Sequence, residues 1–397
     1  MTWMSWLAQQ AVRRDDAGLR RTLMPRGRGD GLVDLAGNDY LGLSRDPVVV
    51  AAAAAAAQQW GAGAGASRLV TGTLDLHVEL ERALASYTGQ PAALVTGSGY
   101  AANLAVVTAL ADRECLVVSD AHIHASLVDA ARLSRAEVAV VPHSDVQAVR
   151  RAVEGAGGRR TLVLAESVYS VLGDEGPLVE LADVCAEHGA LLVVDEAHGL
   201  GVHGPGVVHR LGLNGLPHVV LTVTLSKALG SQGGAVLGPP ELIDHLVNTA
   251  RPFIFDTALA PAAAGAALAA LGVLHDRPSL PALVRARVED LALNLGVEPP
   301  QGAVVSLPMP SPQAAVAAQA AARAQGVLVG CFRPPSVPDG VSRLRITVSA
   351  GVSDDDWARA VTVLVGVAKD HSSTPQNRSK EALRAGDARF RGDPGKT

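Results

Sequence analysis

Short runs of β-branched and other apolar residues alternate along most of this chain with Ala-rich stretches of helical pattern. Several runs are apolar at every position, which is typical of strands in a parallel sheet that helices cover on both faces. The predicted strands are Ala92–Thr96, Cys115–Ser119, Glu137–Val141, Thr161–Ala165, Ala190–Val194, His218–Thr224 and Gly234–Leu237. The predicted helices between them include Tyr100–Ala111, Ser126–Ser134 and Leu178–His188. This alternation predicts an α/β fold with a mostly parallel, seven-stranded sheet.

The pattern changes after Pro261, where short strands and longer helices predict a smaller α+β unit. Its predicted strands are Val304–Leu307, Val327–Val329 and Leu344–Val348, and its predicted helices are Pro278–Asn294, Ala314–Gln325 and Asp355–Val367. We therefore divide the chain into four parts. They are an N-terminal segment (1–44), a large α/β domain (45–270), a small C-terminal α+β domain (271–370) and a polar tail (371–397) whose composition predicts disorder.

Composition excludes several classes of protein. A hydrophobic content of 48% with 18% charged residues is that of a folded chain, and a net charge of −5 argues against a nucleic-acid partner. The longest apolar stretch, Ala258–Leu274, is too short and too weakly hydrophobic to cross a bilayer, so we expect a buried helix and no membrane association. No signal peptide is recognisable in Met1–Asp16. Cys115, Cys185 and Cys331 form no disulfide framework, which predicts a cytoplasmic protein.

An acidic segment follows the predicted strand Ala190–Val194 at once. Asp195, Glu196 and His198 lie beyond the carboxyl end of that strand, where ligands bind in open α/β sheets. A carboxylate there can hold a metal or pair with a protonated ring nitrogen, and the ordinary alternative is a helix N-cap. The letters Asp-Glu-Ala-His also match the Walker-B box of an ATPase, but no Walker-A Gly-Lys-Ser/Thr precedes them. We therefore reject the ATPase interpretation.

A lysine follows the predicted strand His218–Thr224 in the same way. The usual alternative for Lys227 is an exposed surface residue. In a largely apolar site, however, its amine loses charge easily and becomes a nucleophile, while the hydroxyls of Thr224 and Ser226 suit a phosphate. If both strands belong to one sheet, Lys227 and Asp195 lie on the same rim.

Two glycine-rich segments were considered as binding sites for phosphate or nucleotide. The turn Gly97–Gly99 connects a strand to a helix, so backbone N–H groups at the helix N-terminus form a phosphate cradle, unless the turn holds no ligand. Tyr100 or His124 could stack on a flat ring. Segment Gly61–Ser67 mimics a dinucleotide fingerprint, but an alanine run rather than a strand precedes it. We reject an NAD site there and expect a close backbone approach instead.

Histidine is frequent, with 12 residues, which suggests a metal hypothesis. His122 and His124 are close in sequence, and His198, His203 and His209 follow the acidic segment. The chain contains no HExxH motif and no Cys/His set with the spacing of zinc ligands. We therefore predict no metal site and expect one or two of these histidines to be catalytic.

A carboxylate, a lysine, a stacking ring and a phosphate cradle are the groups that hold pyridoxal 5′-phosphate (PLP). With these groups the chain resembles the α-oxoamine synthases, within the fold-type I PLP-dependent enzymes, from Arg20 to about Ala368. The motifs that carry the resemblance stand in family order. They are Gly37–Leu43, Gly65–Gly72, Ser98–Asn103, Asp120 with His124–Leu127, Glu166–Ser170, Val194–Gly199, Thr224–Gly230 and Arg333–Pro338. Each is weak alone, but eight in order indicate the family.

The resemblance implies how PLP would be held. Lys227 would bind the PLP aldehyde covalently, Asp195 would pair with the pyridinium nitrogen and His124 would stack on the ring. His198 and Ser170 would bond the phenolic oxygen. The phosphate would be held by the backbone of Gly99 and Tyr100, by Thr224 and Ser226, and by Thr257 of a second subunit. Lys227 would also remove the Cα proton, which requires that burial lower its pKa.

The resemblance also implies a substrate site and a reaction. Arg333 would clamp the amino-acid carboxylate, with Ser336 nearby where threonine is usual. Asn38 would lie at the substrate site, and Arg20 near the far carboxylate of an acyl chain. The implied enzyme is a homodimer with active sites at the subunit interface. The branch that the chain resembles most joins L-alanine to a pimeloyl thioester, of CoA or an acyl-carrier protein, in biotin biosynthesis.

Departures from the family pattern leave acyl selectivity open. The usual Gly-Gly-Ser-Arg is Gly-Ala-Ser-Arg at 65–68, and the loop that begins at Ser170 reads Ser-Val-Leu-Gly-Asp. The alternatives are another α-oxoamine synthase, such as a glycine C-acetyltransferase or a serine-palmitoyl synthase, and an aminotransferase of the same fold. A non-catalytic binding protein on this scaffold is the third alternative, which the presence of both Lys227 and Asp195 argues against.

Overall fold

The structure, a computed structural model, describes residues 1–27, 29–334, 337 and 339–371. Its helices are α1 (Trp3–Asp16), α2 (Pro47–Trp60), α3 (Asp75–Thr88), α4 (Gly99–Leu110), α5 (Ala125–Ser134), α6 (Val146–Glu154), α7 (Leu178–His188), α8 (Val207–Arg210), α9 (Pro240–Thr249), α10 (Arg251–Ile254), α11 (Pro261–Asp276), α12 (Ser279–Leu295), α13 (Pro312–Ala324) and α14 (Asp354–His371). Its strands are β1 (Val33–Leu35), β2 (Ala92–Thr96), β3 (Leu116–Asp120), β4 (Glu137–Val141), β5 (Thr161–Glu166), β6 (Leu191–Asp195), β7 (Val219–Thr224), β8 (Gly234–Gly238), β9 (Val304–Pro308), β10 (Val327–Phe332) and β11 (Arg343–Thr347). Ser336 and all of the expected tail except His371 lie outside the described residues.

The large sheet has seven strands in the order β2-β8-β7-β6-β5-β3-β4. Strands β4, β3, β5, β6 and β7 run parallel, and β8 is antiparallel to both of its neighbours. This confirms the predicted mostly parallel sheet, and every predicted strand in it matches an observed one within one residue at each end. Strands β5, β7 and β8 are buried along their whole length, whereas the edge strand β4 is mostly exposed.

The two faces of this sheet pack into two separate clusters of buried side chains. Along β6, Leu192 and Val194 belong to one cluster and Val193 to the other, as the alternation of a strand requires. Small residues bring helices close together on one side: a Cβ added to Gly265 of α11 would lie 2.7 Å from the Cβ of Ala56 in α2. The long apolar stretch is therefore a buried helix, as expected. Within the described residues, no helix combines the length and apolar character that crossing a membrane requires.

The small sheet has four strands in the order β1-β10-β11-β9. Three of them were predicted from the sequence, and the fourth, β1, comes from the N-terminal segment and pairs in parallel with β10. The chain that leaves β1 stays against this sheet, because Ala350 N donates to Tyr40 O at 2.8 Å. A Cβ on Gly42 would lie 2.4 Å from the Cα of Gly351, so the two backbones pass each other with no room for a side chain.

The carboxyl ends of the parallel strands bring several polar residues to one edge of the large sheet. Strand β3 ends at Asp120, β5 at Glu166, β6 at Asp195 and β7 at Thr224. In an open α/β sheet this edge is where ligands bind. The segment after β1 and strand β11 face the same edge, since Asn38 and Arg345 line one cavity with Lys227.

Candidate active site

Lys227 follows β7 and points its amine at a buried histidine. Its Nζ lies 2.9 Å from Nε2 of His198. Removal from water lowers the pKa of Lys227 to about 8, although the negative charges of Asp195 and Glu166 oppose that shift. The amine therefore exchanges its proton close to neutral pH, as the sequence analysis required of a base at this position.

Asp195 is held by a set of donors at the end of β6. Asn103 Nδ2 donates to Oδ2 at 2.8 Å, and the backbone N–H of Ala197 donates to Oδ1 at 2.9 Å. Asn103 is itself fixed, because Thr222 Oγ1 donates to its carbonyl at 2.6 Å and its amide also donates to Ser126 Oγ at 2.8 Å. With only 6% of the residue exposed, the carboxylate is buried but hydrogen-bonded on both oxygens.

His124 lies at the N-terminus of α5 and lines the same cavity as Lys227. Its Nδ1 is 2.7 Å from Ser126 Oγ, so one ring nitrogen is tied to its own helix. Burial is the main cause that lowers the pKa of His124, and the cation of Lys227 adds to it. The ring is therefore neutral at pH 7, which leaves its face suited to stacking on a flat heterocycle.

His198 is buried between Lys227 and Tyr40. Its Nδ1 lies 2.6 Å from the hydroxyl oxygen of Tyr40, and its Nε2 faces the lysine amine. Burial lowers the pKa of His198 well below its usual value, and the charges of Lys227 and Arg345 act in the same direction. The ring is neutral, with one nitrogen that donates and one that accepts.

The turn before α4 brings backbone close to β7 and β8. A Cβ on Gly99 would lie 3.0 Å from the Cβ of Thr224, and a Cβ on Gly234 would lie 2.5 Å from Gly99 N. Thr224 Oγ1 and Ser226 Oγ are 2.7 Å apart beside this turn. Because a helix N-terminus presents N–H groups without intrahelical partners, the turn and the two hydroxyls form a cradle of donors that suits a phosphate.

Tyr100 and Thr257 lie at the outer side of this cradle. The Tyr100 side chain is 45% exposed and donates to Asp129 Oδ2 at 2.5 Å, so only its backbone belongs to the turn. Thr257 lines a small cavity with Gly97 of the same chain. The expected contact of Thr257 with a second subunit stays a prediction.

A cavity of about 610 Å³ opens above Lys227. Besides Lys227, its wall includes Asn38, His124, Ser170, His198, Phe332 and Arg345. Ser170 is fixed through its backbone, since its N–H donates to Glu166 Oε2 at 3.1 Å and its carbonyl accepts from Arg345 Nε at 2.8 Å. Burial, and then the charge of Asp195, raise the pKa of Glu166 well above its usual value.

Arg345 supplies a buried guanidinium to this cavity. The residue is 4% exposed, its Nη1 donates to Asn38 Oδ1 at 3.0 Å, and its charge lies 5.4 Å from the centre of the Phe332 ring. A fixed guanidinium beside an amine is suited to binding the carboxylate of an amino acid.

Arg333 and Arg20 line a different cavity, of about 720 Å³. Arg333 Nη1 donates to the carbonyl of Gly18, and Arg20 pairs with Asp15 at 2.8 Å on the surface. Lys227 is not part of this wall. The alternation of β10 separates the two spaces, because Phe332 lines the Lys227 cavity while Arg333 lines its neighbour.

The chain matches the model of the class I and II aminotransferase family over residues 30–364. Curated 8-amino-7-oxononanoate synthases from Mycolicibacterium gilvum and Mycobacterium marinum are each 54% identical to it, over 92% of this chain and 97% and 94% of theirs. The chain belongs to the 8-amino-7-oxononanoate synthase family.

Solved structures agree with this assignment. Serine palmitoyltransferase from Sphingomonas wittichii superimposes with a TM-score of 0.84 at 27% identity, covering 92% of this chain and 97% of that one. A variant named SPT with PLP gives a TM-score of 0.86 at 27% identity, covering 93% and 99%. The 8-amino-7-oxononanoate synthase of Francisella tularensis, at 24% identity and a TM-score of 0.72, covers 86% and 98% and shows the same fold.

Three residues of this 8-amino-7-oxononanoate synthase family member were not selected from the sequence. Asn103 and Tyr40 lie inside motifs that the sequence analysis quoted, but no chemistry was assigned to them. Arg345 carries a signal that could have found it: it stands within a predicted strand that is otherwise almost wholly apolar, and a buried charge there requires partners.

Proposed function

We propose that this chain catalyses the PLP-dependent, decarboxylative condensation of L-alanine with a pimeloyl thioester in biotin biosynthesis. The products are 8-amino-7-oxononanoate, CO₂ and the free thiol of CoA or of an acyl-carrier protein. Support comes from relatives of that name at 54% identity over 92% of the chain. The observation that carries the proposal is the Lys227 amine in one cavity with His124 and His198, next to a firmly anchored Asp195.

The residues present fit PLP. Gly99 and Gly234 leave no space for a Cβ where backbone must approach a phosphate, and Thr224 and Ser226 add hydroxyl donors. Lys227 supplies an amine of lowered pKa for the aldehyde. When bound, PLP supplies a protonated ring that withdraws electron density from the substrate Cα.

Each of the chain's own groups then has a defined task. Lys227 takes the Cα proton and later returns one, which its pKa of about 8 allows near neutral pH. Asp195, fixed by Asn103, presents a carboxylate to the ring nitrogen. His124 covers the ring face from the cavity side, and its neutral state avoids repulsion with Lys227.

Arg345 binds the carboxylate of L-alanine in this proposal, with Asn38 beside it. This assignment replaces Arg333, which the family resemblance had suggested, because the Arg333 guanidinium lines the neighbouring cavity. Arg333 and Arg20 together then face the acyl thioester, whose far carboxylate and phosphates are anionic.

We further infer a homodimer with Thr257 near the subunit interface. Three large apolar side chains close to it in sequence or space are strongly exposed: Leu69 by 52%, Val70 by 74% and Phe255 by 69%. We also infer a cytoplasmic location, which three free cysteines support.

A panel assay tests the reaction. Purified protein with PLP is incubated with several amino acids and acyl-CoAs, and free thiol and product mass are measured. We expect thiol release with L-alanine and pimeloyl-CoA and a product with the mass of 8-amino-7-oxononanoate. Release only with glycine and acetyl-CoA would instead indicate the glycine C-acetyltransferase alternative, and keto acid formed without thioester would indicate an aminotransferase.

A further inference from the structure

A chain of hydrogen bonds connects Arg345 to Lys227 through three intermediate residues. Arg345 Nη1 donates to Asn38 Oδ1 at 3.0 Å, and the Tyr40 hydroxyl lies 3.2 Å from the same oxygen. That hydroxyl is 2.6 Å from His198 Nδ1, and His198 Nε2 is 2.9 Å from Lys227 Nζ. Tyr40 is completely buried, and neither the sequence analysis nor the proposed reaction gives it a role.

The direction of these hydrogen bonds follows from the Arg345 end. A guanidinium only donates, so the atom of Asn38 that faces it is the carbonyl oxygen, which only accepts. The single hydroxyl proton of Tyr40 therefore points to Asn38. The hydroxyl oxygen then offers a lone pair to His198, and Nδ1 of that ring must carry a proton.

The Lys227 end leads to the same arrangement. An ammonium group only donates, so Nε2 of His198 must accept from Lys227. A neutral imidazole has one donor and one acceptor nitrogen, which places the proton on Nδ1. The pKa of Lys227, about 8, keeps the amine protonated at pH 7, and the lowered pKa of His198 keeps the ring neutral.

We propose that Tyr40 is a positioning residue that fixes His198 as the tautomer with its proton on Nδ1, so that Nε2 accepts from the Lys227 amine. The proposal rests on the proposed function only in taking Lys227 as the reacting amine. Without the Tyr40 hydroxyl, the Nδ1 proton has no acceptor in a buried site. The ring then turns, or its proton moves to Nε2 and opposes the ammonium, and both changes weaken the protonated state of Lys227.

Other charged or titratable groups also face the amine and contribute to its proton affinity. They are Asp195 from β6, Glu166 from β5, Arg345 from β11 and His124 before α5. Tyr40→Phe removes one oxygen atom and leaves all four side chains in the protein. A shift in the titration of Lys227 therefore reports on the contact between Tyr40 and His198.

Reductive methylation of the apoenzyme across a pH series measures this titration. The extent of methylation of the Lys227 peptide is read by mass spectrometry, with Lys369 in the same digest as an internal reference. In Tyr40→Phe we expect the midpoint for Lys227 to fall by about one pH unit. Tyr87→Phe, which removes a partly buried hydroxyl from α3, is the matched control and leaves the midpoint unchanged. An unchanged midpoint in Tyr40→Phe overturns the proposal.

Nitrogen-15 NMR of the wild-type apoenzyme gives a second test that needs no Tyr40 variant to fold. The His198 signals are assigned by their loss in His198→Asn, and we expect the proton on Nδ1. A proton on Nε2 overturns the proposal. If both tests give the expected result while the enzyme does not condense L-alanine with pimeloyl-CoA, the proposed function fails and the role of Tyr40 stands.

Discussion

His143 Nδ1 lies 2.9 Å from Asp120 Oδ1. The other ring nitrogen, Nε2, is 2.7 Å from Asp174 Oδ2, so one imidazolium bridges two carboxylates. Asp120 ends β3, while Asp174 belongs to the loop after β5 that also carries Ser170 of the cavity wall. His122 stacks on the same ring with 4.0 Å between centroids. The ion triad therefore attaches a loop of the candidate active site to the central sheet.

This triad predicts that stability depends on pH through His143. Burial opposes the charge, but the hydrogen bonds to Asp120 and Asp174 outweigh it and raise the pKa of His143 from 6.5 to about 9. The stabilisation is fully present below pH 6.5, declines as pH rises and is lost above about pH 9. Its size is on the order of 3 kcal/mol. In His143→Gln we expect a lower Tm than wild type at pH 6, and nearly equal values at pH 10.

Thermal unfolding of both proteins at several pH values checks this dependence. His245→Gln is a suitable control, because the ring of His245 lies on the surface of α9 and contacts only a backbone carbonyl, Ala109 O, at 3.0 Å. Its Tm should follow wild type at every pH. An equal loss of Tm in His143→Gln at pH 6 and pH 10 would show that charge plays no part in the bridge.

The small number of lysines makes the role of Lys227 easy to test. Lys227, Lys369, Lys380 and Lys396 are the four lysines of the sequence. After PLP binding, borohydride reduction and digestion, we expect cofactor mass on the Lys227 peptide alone. Lys227→Ala should lose that label and turnover, whereas Lys369→Ala, at the end of α14, should keep both. Normal turnover in Lys227→Ala would contradict the proposed chemistry.

Asp195→Asn isolates the negative charge from the shape of the side chain. The amide still occupies the space beside Asn103, so we expect a folded protein by circular dichroism. Loss of the charge that favours a protonated ring nitrogen should slow exchange of the L-alanine Cα hydrogen in D₂O by about 100-fold or more. The exchange needs no thioester, so NMR measures it directly. An exchange rate equal to wild type would remove Asp195 from this role.

Periodicity explains why the large sheet could be predicted from the sequence. Its strands are continuous apolar runs between helices, so local pattern alone locates them to within one residue. Strand β1 escaped because three residues carry too little pattern, and its partner β10 lies almost three hundred residues further along the chain. Motif spacing likewise indicated Lys227 and Asp195, because each follows a strand of one parallel sheet.

The remaining parts of the site depend on contacts between distant segments. Arg345 reaches the cavity only because Asn38 and Ser170, far apart in sequence, accept from its guanidinium. His143 could not be selected from twelve histidines without knowing that two carboxylates face it. Such partners are set by tertiary packing, for which a single sequence carries no periodic signal.

The two arginine cavities lead to separable kinetic effects. Arg345 lies in the Lys227 cavity, so Arg345→Lys should raise KM for L-alanine by about 10- to 100-fold, because a point charge replaces the bidentate fork. Arg333→Lys, in the neighbouring cavity, should chiefly raise KM for pimeloyl-CoA and leave KM for L-alanine near wild type. Initial rates with each substrate varied in turn measure both constants. The reverse pattern, with L-alanine sensitive to Arg333 and not to Arg345, would return the carboxylate site to the arginine first suggested by the family resemblance.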